Sequence, residues 1–593
     1  MHKKTLVELL INVTKTYNYE EGNIFTKEQN SYTSVSRAEI ICKALTLKDF
    51  FSKIGLKPGS KIAIISENRY EWVVSDIACY LSGMINVPVY TTLSPESIKY
   101  ILKDSDAQIC FVSNTLQLEK LLVVKNEIPS LVYIISFSEL RGDYKGESIR
   151  SLPQILNNYK TYTQSKIIEI LADISKRINE SDVLTIIYTS GTTGIPKGVM
   201  LTHKNLYTNL KSYLKILKID DRDKFLSYLP YSHIFERTAG YYFPFFNAAK
   251  IYYAQSIDTI ALQMTETKPT LVITVPRLLD KIYNRLMKNY EEMADGFQKR
   301  VFKSAIDLAK ERKAKKYSIK WKLANRLVYK KIREKTGGNL KYFVSGGGAL
   351  NKSIGEFFDY IGIVTIEGYG MTETSPVIAV NRPEKNKYGT VGLPVDGVKV
   401  KIAEDGEILV KGDIVMKGYY NAPDETKNSI INSWMHTGDI GEIDKDGYIK
   451  ITDRKKSLFK SSGGKYIAPA QIEEMIIQLP YVDQIIVIGN EKMYVTALIV
   501  PDLTELKNLA KHAGIHVENE SHLINNPELI NKIEKDINYI QKHLSPHEKV
   551  RKFTLLEKPF SIEAGELTPT LKIKRKEVEE KYKDIINSMY HKI

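Results

Sequence analysis

A loop rich in glycine and hydroxyl side chains follows an apolar run at residues 183–187. Residues 188–200 read YTSGTTGIPKGVM and contain four Ser or Thr hydroxyls, three glycines and one lysine. Glycines let backbone amides approach an oxyanion closely, while hydroxyl and ammonium groups add donors and charge, so this composition favours a polyphosphate ligand. The spacing is not G-x-x-x-x-G-K-[ST], because Lys197 follows Gly194 by three residues and precedes Gly198. The sequence therefore predicts a strand followed by a phosphate-binding loop of another kind.

The length of the chain and its cysteines limit the class of protein. With 593 residues it exceeds what one hydrophobic core normally supports, so we expect two or more domains. Cys42, Cys79 and Cys110 have neither metal-ligand nor disulfide spacing, which suits a reducing cytoplasm. No run approaches about 18 uninterrupted apolar residues, and the first residues lack the apolar region of a signal peptide. We therefore expect a cytoplasmic protein.

Most of the net charge of +15 lies between Gln298 and Lys335. Three acidic residues stand there against fifteen basic ones, which are Lys299, Arg300, Lys303, Lys310, Arg312, Lys313, Lys315, Lys316, Lys320, Lys322, Arg326, Lys330, Lys331, Arg333 and Lys335. Apolar residues recur at helical spacing, at Val301, Ala305, Leu308, Leu323, Leu327 and Ile332. A basic amphipathic helical pair indicates peripheral contact with an anionic membrane surface, and a solvated helix face is the alternative. Nucleic acid is disfavoured because no nucleic-acid module accompanies the charge.

Strand-like and helical segments alternate through the first half of the chain. Few polar residues interrupt the strand candidates, as in buried parallel strands, and these candidates lie at 61–66, 108–113, 270–275 and 341–345. Ser94 and Pro95 form a helix start, with serine as the N-cap and proline at the first helical position. This alternation predicts α/β layering.

The second half of the chain changes pattern twice. Short strands and Gly/Asp turns at about 396–450 predict a small β-rich subdomain. After Asp453, a helix at about 469–479 precedes strands at 484–488 and 494–500, and lysine- and glutamate-rich helices follow. These elements predict a small α+β domain at the end of the chain.

Seven further motifs carry groups suited to nucleotide or acyl chemistry. In chain order they are LPYSHIFE (229–236), VSGGGAL (344–350), EGYGMTET (367–374), WMHTGD (434–439), DRKK (453–456), SSGGKYIAPAQIE (461–473) and LTPTLKIKRK (567–576). Three glycines after a strand allow a flat base to lie against the backbone, and a carboxylate such as Asp439 can accept hydrogen bonds from both ribose hydroxyls. A hard cation takes oxygen ligands that it shares with phosphates.

The glycine-rich loop and these motifs, in this order, resemble the acyl-adenylate-forming enzymes, which include acyl-CoA synthetases, luciferases and peptide-synthetase adenylation domains. Text outside the motifs, such as SENRYEW (66–72) and VPVY (87–90), is similar to the long-chain fatty-acid branch. The resemblance covers about 35–580. It implies a large α/β N-terminal domain, 1–453, with two α/β sheet subdomains, a small β-barrel-like subdomain and a basic insertion at about 284–336. A small mobile α+β C-terminal domain, 454–593, follows.

The resemblance assigns roles in the N-terminal domain. The groups that hold the β- and γ-phosphates are Thr189, Ser190, Gly191, Thr192, Thr193, Gly194 and Lys197. Adenine lies at Gly346, Gly347 and Gly348 and packs against Tyr369. The nucleotide site also includes Glu367, Gly368 and Gly370. Thr372 reaches the α-phosphate, Glu373 binds Mg²⁺, and His233 lines the opening for the carboxylate or acyl chain. Arg237 stands where some long-chain enzymes close the acyl tunnel with tryptophan, so the tunnel gate is unassigned.

The resemblance also assigns roles in the last third of the chain. Asp439 binds the ribose, Arg454 contacts the nucleotide, and Lys456 is the hinge about which the small domain rotates. The CoA-facing loop contains Gly463, Gly464 and Lys465. Lys572 is the adenylation lysine, with Lys574 as a competing assignment.

The expected activity is ATP-dependent conversion of a long-chain fatty acid to acyl-CoA through acyl-AMP, with release of AMP and pyrophosphate. Fatty acid, ATP and coenzyme A are then the substrates, and Mg²⁺ is the cofactor. One alternative is an acyl-AMP ligase that passes its acyl group to a carrier protein. Another is a catalytically silent lipid-binding protein at the membrane. The sequence leaves the preferred chain length and the oligomeric state open.

Overall fold

The computed structural model describes residues 3–140, 148–189, 196–312, 315–455, 459–460, 466–517, 519–561, 564–568 and 573–590. The chain divides into two compact units. The first comprises Met1–Lys401, Leu409–His436 and Ile443–Lys450, and the second comprises Ile402–Ile408, Thr437–Glu442 and Ile451–Ile593. A boundary at 453/454 stays a prediction.

The strands of the described residues, in chain order, are β1 (Gly22–Glu28), β2 (Ser31–Ser36), β3 (Lys61–Ile65), β4 (Ile85–Val89), β5 (Ala107–Val112), β6 (Tyr133–Ser136), β7 (Ile149–Ser151), β8 (Val183–Thr189), β9 (Lys197–Thr202), β10 (Lys224–Ser227), β11 (Lys250–Tyr253), β12 (Leu271–Thr274), β13 (Tyr342–Ser345), β14 (Val364–Gly370), β15 (Val377–Val380), β16 (Leu393–Pro394), β17 (Lys399–Ile402), β18 (Glu407–Lys411), β19 (Gly418–Tyr419), β20 (Ile430–Ile431), β21 (Trp434–Ile443), β22 (Ile449–Arg454), β23 (Phe459–Lys460), β24 (Tyr466–Ile467), β25 (Val482–Ile488), β26 (Val495–Pro501) and β27 (Val550–Leu555).

The α-helices of the same residues are α1 (Leu6–Thr16), α2 (Arg37–Lys53), α3 (Tyr70–Leu81), α4 (Pro95–Ser105), α5 (Thr115–Leu122), α6 (Leu152–Leu156), α7 (Gln164–Arg177), α8 (His203–Ile216), α9 (Phe243–Phe245), α10 (Ile260–Thr267), α11 (Pro276–Glu291), α12 (Phe297–Glu311), α13 (Ile319–Ala324), α14 (Lys330–Glu334), α15 (Lys352–Tyr360), α16 (Pro423–Ser429), α17 (Pro469–Ile476), α18 (Leu503–His512), α19 (Glu520–Asn525), α20 (Pro527–Ile540), α21 (Arg575–Lys581) and α22 (Lys583–Tyr590). Two π-helical segments lie at Glu236–Tyr242 and Asn325–Tyr329, and 3₁₀ turns lie at Lys125–Glu127, Ile257–Thr259 and Thr372–Thr374.

Two large sheets form the framework of the first unit. One has the strand order β16-β15-β14-β13-β12-β10-β11-β1-β2, and the other has the order β19-β9-β8-β4-β3-β5-β6-β7. Strands β10 to β14 pair in parallel, as do β3, β4, β5 and β6. Their residues are almost all buried, which explains the nearly continuous apolar runs in the sequence. This architecture confirms the α/β class.

Two smaller sheets follow. A five-stranded sheet has the order β17-β18-β21-β20, with β22 also paired to β21. In the second unit, β25, β26 and β27 form a three-stranded sheet, whose buried side chains pack with residues of α17, α18 and α20. The strands predicted at 484–488 and 494–500 are β25 and β26, while the helix predicted at 469–479 ends earlier, at Ile476.

The helix start predicted from sequence at Ser94 is confirmed. The Ser94 side chain accepts a hydrogen bond from the Ser97 amide at 3.3 Å, and Pro95 begins α4. A serine cap satisfies one of the amides that a helix start leaves without an intrahelical partner, and proline has no amide to satisfy.

Candidate active site

Strands β8 and β9 flank the glycine-rich loop. They pair antiparallel with Thr189 opposite Lys197, so the two ends of the loop lie side by side at the edge of these strands. The remaining predicted phosphate-binding residues, Ser190, Gly191, Thr192, Thr193 and Gly194, lie outside the described residues. The structure therefore places the two ends of the predicted phosphate site.

The last part of the loop is anchored at its base. The Tyr100 hydroxyl donates a hydrogen bond to the Pro196 carbonyl at 3.0 Å. A Cβ at Gly198 would lie 2.7 Å from Cγ2 of Ile186, which is closer than real Cβ contacts come. Position 198 therefore requires glycine for close strand packing.

Lys197 forms an ion pair at the start of β9. Its Nζ lies 2.5 Å from Oε2 of Glu425, a residue of α16, and 5.5 Å from the ring centroid of Tyr419. The lysine side chain is mostly buried, so the carboxylate and the aromatic ring hold the ammonium in place. A bound polyphosphate would compete with Glu425 for this charge.

Glu373 is a buried carboxylate that Tyr419 holds. The Tyr419 hydroxyl donates to Oε1 of Glu373 at 2.9 Å, and the Met416 amide donates to the Glu373 carbonyl at 2.8 Å. Burial first, and then the Glu373 charge, raise the pKa of Tyr419 above its usual range. Thr372 precedes Glu373 in the 3₁₀ turn that follows β14. The predicted metal and α-phosphate residues thus stand together at the end of that strand.

Tyr419 connects the two halves of this arrangement. In β19 it pairs with Val199 of β9, two residues beyond Lys197, while its hydroxyl reaches Glu373. Neither Tyr419 nor Glu425 was singled out from the sequence, because each contacts a residue distant in the chain and belongs to no motif recognised there.

The predicted adenine segments lie on adjacent strands. β13 and β14 pair in parallel with Ser345 opposite Glu367, and the buried Glu367 carboxylate accepts from the Leu350 amide at 2.9 Å. That bond joins EGYG to Leu350 at the end of VSGGGAL, and Gly347 in the middle of this motif has a φ of +78°. Tyr369, also in β14, is largely buried. The structure therefore brings Gly346, Gly347, Gly348, Glu367 and Gly368 to neighbouring positions.

Gly370 occupies a position that no other residue fits. A Cβ there would lie 1.9 Å from the Pro376 carbonyl oxygen and 3.0 Å from Cα of Val377. The next amide, of Met371, donates to the same carbonyl at 3.1 Å. This close approach turns the chain directly before Thr372.

The LPYSHIFE block leads into the first π-helical segment. Nδ1 of His233 accepts a hydrogen bond from the Phe235 amide at 3.2 Å, and the His233 carbonyl accepts from the Arg237 amide. A Cβ at Gly346 would lie only 3.0 Å from Cζ of Phe235, so this ring packs against the glycine turn. His233 therefore lies two residues before Phe235, which packs against the predicted adenine segment, and the role of His233 at the acyl opening stays a prediction.

Arg237, the residue that left the tunnel gate unassigned, is wholly buried in an ion pair. Its Nη2 pairs with Oδ1 of Asp76, its Nε donates to the Tyr242 hydroxyl at 3.0 Å, and its Nη1 donates to Thr185 at 2.8 Å. Asp76 is 1% exposed and also accepts from the Tyr242 hydroxyl, at 2.7 Å, and from Asn86, at 2.8 Å. A hydrogen-bonded ion pair therefore lies in the region where the family resemblance implies a tryptophan gate in some long-chain enzymes, and the gate of this chain stays unassigned.

Glu236, beside that ion pair in the chain, is a second buried carboxyl. Its Oε1 accepts from the Ser227 hydroxyl at 2.6 Å, while its Oε2 has no hydrogen-bond partner within the described residues. Burial raises its pKa to about 8. A Cβ at Gly240 would lie 2.3 Å from Oε1, so glycine leaves room for the carboxyl one helical turn away.

The second unit contains the other predicted nucleotide residues. Nε of Arg454 lies 3.0 Å from Oδ1 of Asp439, whose amide donates to the Thr437 hydroxyl at 3.1 Å. Asp439 is buried and Arg454 is exposed, so the guanidinium covers the carboxylate from the solvent side. Burial raises the pKa of the adjacent Asp453 to about 6.

The remaining predicted residues of this unit are Lys456, Gly463, Gly464, Lys465 and Lys572, and all lie outside the described residues. Leu567 and Ile573 pair across the segment that contains Lys572. Arg575, which begins α21, forms an ion pair with Glu473 of α17 at 2.6 Å. Lys574, the competing assignment, is exposed and caps α21.

A buried carboxylate just after a parallel strand, a glycine-rich loop between two strands and glycine turns on adjacent parallel strands form an arrangement typical of nucleotide-binding α/β enzymes. Comparison with protein families agrees with this class. The AMP-binding enzyme family matches residues 17–420, and the AMP-binding enzyme C-terminal domain matches residues 457–593. The chain belongs to the AMP-binding enzyme family.

Relatives match over nearly the whole chain. The long-chain-fatty-acid–CoA ligase FadD15 of Mycobacterium bovis is 32% identical over 91% of this chain and 89% of the relative. The peroxisomal long chain acyl-CoA synthetase 6 of Arabidopsis thaliana is 34% identical over 91% of this chain and 79% of the relative. In fold, the chain is similar to the anthranilate CoA ligase AuaEII in complex with anthranoyl-AMP, with a TM-score of 0.74, 19% identity and coverage of 99% and 98% of the two chains.

No helix among the described residues is both long and apolar enough to cross a bilayer.

Proposed function

We propose that this protein is an AMP-forming long-chain fatty acid–CoA ligase. It activates a fatty acid with ATP to acyl-AMP and pyrophosphate, and then transfers the acyl group to coenzyme A with release of AMP. The observation that carries this conclusion is similarity along most of the chain to relatives named long-chain-fatty-acid–CoA ligase or long chain acyl-CoA synthetase, at 31–34% identity. The arrangement around Lys197 and Glu373 supports it.

In the first half-reaction a carboxylate oxygen of the fatty acid attacks the α-phosphorus of ATP, and pyrophosphate leaves. The protein needs mainly to position two anions and to neutralise charge that develops between them. We assign the β- and γ-phosphates to Thr189, Lys197 and the intervening loop. In this assignment the nucleotide takes the Lys197 ammonium from Glu425, and Tyr419 keeps the lysine and Glu373 in fixed positions.

Glu373 fits a magnesium site. Its carboxylate is buried at the end of β14 with Tyr419 as a hydrogen-bond donor, and the neighbouring Thr372 adds another oxygen. In the part of the chain that the structure describes, no three His, Cys, Asp or Glu side chains converge on one point, so the nucleotide phosphates would complete the coordination. Bound Mg²⁺ neutralises phosphate charge.

For the second unit, we assign Asp439 to the ribose hydroxyls and Arg454 to the nucleotide. The ion pair between them holds the Asp439 carboxylate in one orientation before ATP binds. Lys572 is assigned to the carboxylate and α-phosphate in adenylation, Lys456 to the hinge, and Gly463, Gly464 and Lys465 to contact with CoA. The CoA thiolate then attacks the acyl carbonyl and displaces AMP.

The nature of the acceptor is tested by AMP release from purified protein with MgATP and fatty acid, with and without CoA. We expect multiple-turnover AMP release only when CoA is present, because acyl-AMP otherwise stays bound. AMP release that needs an acyl carrier protein would indicate the carrier-dependent ligase. Absence of any adenylation, measured by pyrophosphate exchange, would contradict the proposal and favour a silent lipid-binding protein.

The role of Lys572 is tested separately by Lys572→Ala. We expect loss of acyl-AMP formation with retention of thioester formation from supplied acyl-AMP. Lys574→Ala is the matched control and keeps both half-reactions. Equal loss of both half-reactions in Lys572→Ala would refute the assignment.

The membrane contact of the basic segment is a further part of the proposal. Between Gln298 and Lys335, fifteen basic residues stand against three acidic ones, and this charge supports contact with an anionic membrane surface. Long-chain fatty acids partition into membranes, so this contact would bring the protein to its substrate.

A further inference from the structure

The basic segment exposes an apolar ridge to solvent. Helix α13, the π-helical segment Asn325–Tyr329 and α14 follow one another without a break. Ile319, Leu323 and Leu327 lie four residues apart and are 87%, 60% and 44% exposed. Side chains at this spacing share one helix face.

The opposite face of the same helix is fixed to the first unit. Trp321, Ala324, Val328, Tyr329 and Ile332 are buried in its core, the Trp321 indole donates to the Tyr360 carbonyl at 2.8 Å, and the Tyr329 hydroxyl donates to the Ala305 carbonyl at 2.8 Å. The ridge is therefore held facing outward, and the six apolar positions noted in the sequence divide between core and surface.

Cations stand on both sides of the ridge. Lys320, Lys322, Arg326 and Lys330 are exposed, and none forms an ion pair with an acid in the described residues. Two neighbouring basic residues do form such pairs: Arg312 with Glu356 at 3.3 Å and Lys316 with Asp359 at 3.1 Å. Arg312 and Lys316 thus attach the basic segment to α15, whereas the four other cations present their charge to solvent.

An outward row of large aliphatic side chains flanked by cations matches the chemistry of an anionic lipid surface. Aliphatic groups enter the boundary between headgroups and acyl chains, and lysine or arginine side chains reach lipid phosphates. A polyanion without lipid would satisfy the cations and leave the ridge in water. A second copy of this face would bring like charges together.

We propose that Ile319, Leu323 and Leu327 insert into an anionic membrane, with Lys320, Lys322, Arg326 and Lys330 at the headgroups. The inference rests on the membrane contact in the proposed function and adds that insertion, as well as charge, holds the protein there. It does not depend on the ligase activity.

Co-sedimentation with phosphatidylcholine vesicles that contain about 30% phosphatidylglycerol separates the contribution of the inserted apolar side chains from that of the cations. Transfer of each ridge side chain from water changes partitioning by about tenfold, so I319S/L323S/L327S lowers the vesicle partition coefficient by about a hundredfold or more at unchanged net charge. K320Q/K322Q/R326Q/K330Q also lowers it and reduces the salt dependence of binding. The matched control L116S/V123S/V132S changes exposed apolar residues elsewhere in the first unit and retains binding.

A label on the ridge detects insertion directly. Cys42, Cys79 and Cys110 are buried, so an environment-sensitive fluorophore attaches selectively to L323C, with L116C as the control. We expect anionic vesicles to shift the L323C emission to the blue and lipid-chain quenchers to reduce it, with neither effect at L116C.

Each contrary result has a distinct meaning. Full binding by the ridge variant, with loss in the charge variant, would leave the membrane contact and overturn insertion. No binding of the unmodified protein to any vesicle would overturn both, whatever its ligase activity in detergent-dispersed substrate. A dimer that the ridge variant converts to a monomer, measured by light scattering, would assign the ridge to self-association and overturn the proposal.

Discussion

Removal of one partner of the buried Arg237–Asp76 ion pair destabilises the first unit far more than removal of both. Arg237→Met leaves the Asp76 carboxylate, 1% exposed, with only the neutral donors Tyr242 and Asn86. An uncompensated buried charge of this kind costs about 3–5 kcal/mol. Asp76→Asn leaves the guanidinium without its counter-charge and costs a similar amount.

The double variant Asp76→Asn/Arg237→Met contains neither charge. Its expected loss is about 2 kcal/mol or less, because replacement of a whole buried ion pair is often close to neutral. The two single losses sum to at least about 6 kcal/mol, so the coupling energy from the double-mutant cycle is at least about 4 kcal/mol.

Urea unfolding followed by tryptophan fluorescence measures these differences. Trp72, Trp321 and Trp434 are the three tryptophans and all belong to the first unit, so emission reports that unit. The Trp72 ring lies 5.1 Å from the Arg237 guanidinium and is sensitive to the cluster itself. A double variant as unstable as the sum of the single variants would refute coupling. A loss below about 1 kcal/mol in Arg237→Met would refute an uncompensated charge.

Three further substitutions test single groups. Because burial raises the pKa of Glu236 from 4.5 to about 8, its contribution to stability is complete below pH 4.5 and is lost as the pH rises toward 8. In urea unfolding, the stability of the unmodified protein relative to Glu236→Gln therefore falls by about 2 kcal/mol between pH 6 and 8, and a pH-independent difference would contradict the buried neutral carboxyl. Gly370→Ala forces Cβ to within 1.9 Å of the Pro376 oxygen, so adenylation falls by about a hundredfold or more. Gly397→Ala is the folding control, because its Cβ meets no atom within 4 Å and the only strain there comes from its positive φ. Tyr419→Phe removes the hydroxyl that donates to Glu373, so we expect Mg²⁺ to bind more weakly. The Mg²⁺ concentration that half-saturates pyrophosphate exchange then rises by about tenfold, whereas Tyr420→Phe leaves it unchanged.

Local signals in the sequence predicted individual elements well. Apolar runs marked β3 and β5, and Ser94 with Pro95 marked the start of α4, because both depend on neighbouring residues. The α/β class followed from the alternation of such elements. The family resemblance then supplied predicted roles for the site residues, which the spacing of residues could not.

Contacts between distant residues could not be read in the same way. Glu425 lies 228 residues beyond Lys197, and Arg237 lies 161 residues beyond Asp76, so no local pattern signals either ion pair. The π-helical segment Glu236–Tyr242 is wholly buried although its sequence, ERTAGYY, includes glutamate, arginine and threonine, so its composition does not indicate its burial. Helical spacing at Leu323 and Leu327 likewise shows a shared face without showing whether that face is covered.

Transfer of oxygen from the fatty acid to AMP tests the acyl-adenylate account most directly. The protein is incubated with MgATP, CoA and a long-chain fatty acid labelled with ¹⁸O in both carboxylate oxygens, and the AMP is analysed by mass spectrometry. The carboxylate attacks the α-phosphorus and thiolysis breaks the acyl carbon–oxygen bond, so we expect one ¹⁸O atom in each AMP for each acyl-CoA formed. Unlabelled AMP, or label in pyrophosphate or inorganic phosphate, would contradict an acyl-AMP intermediate.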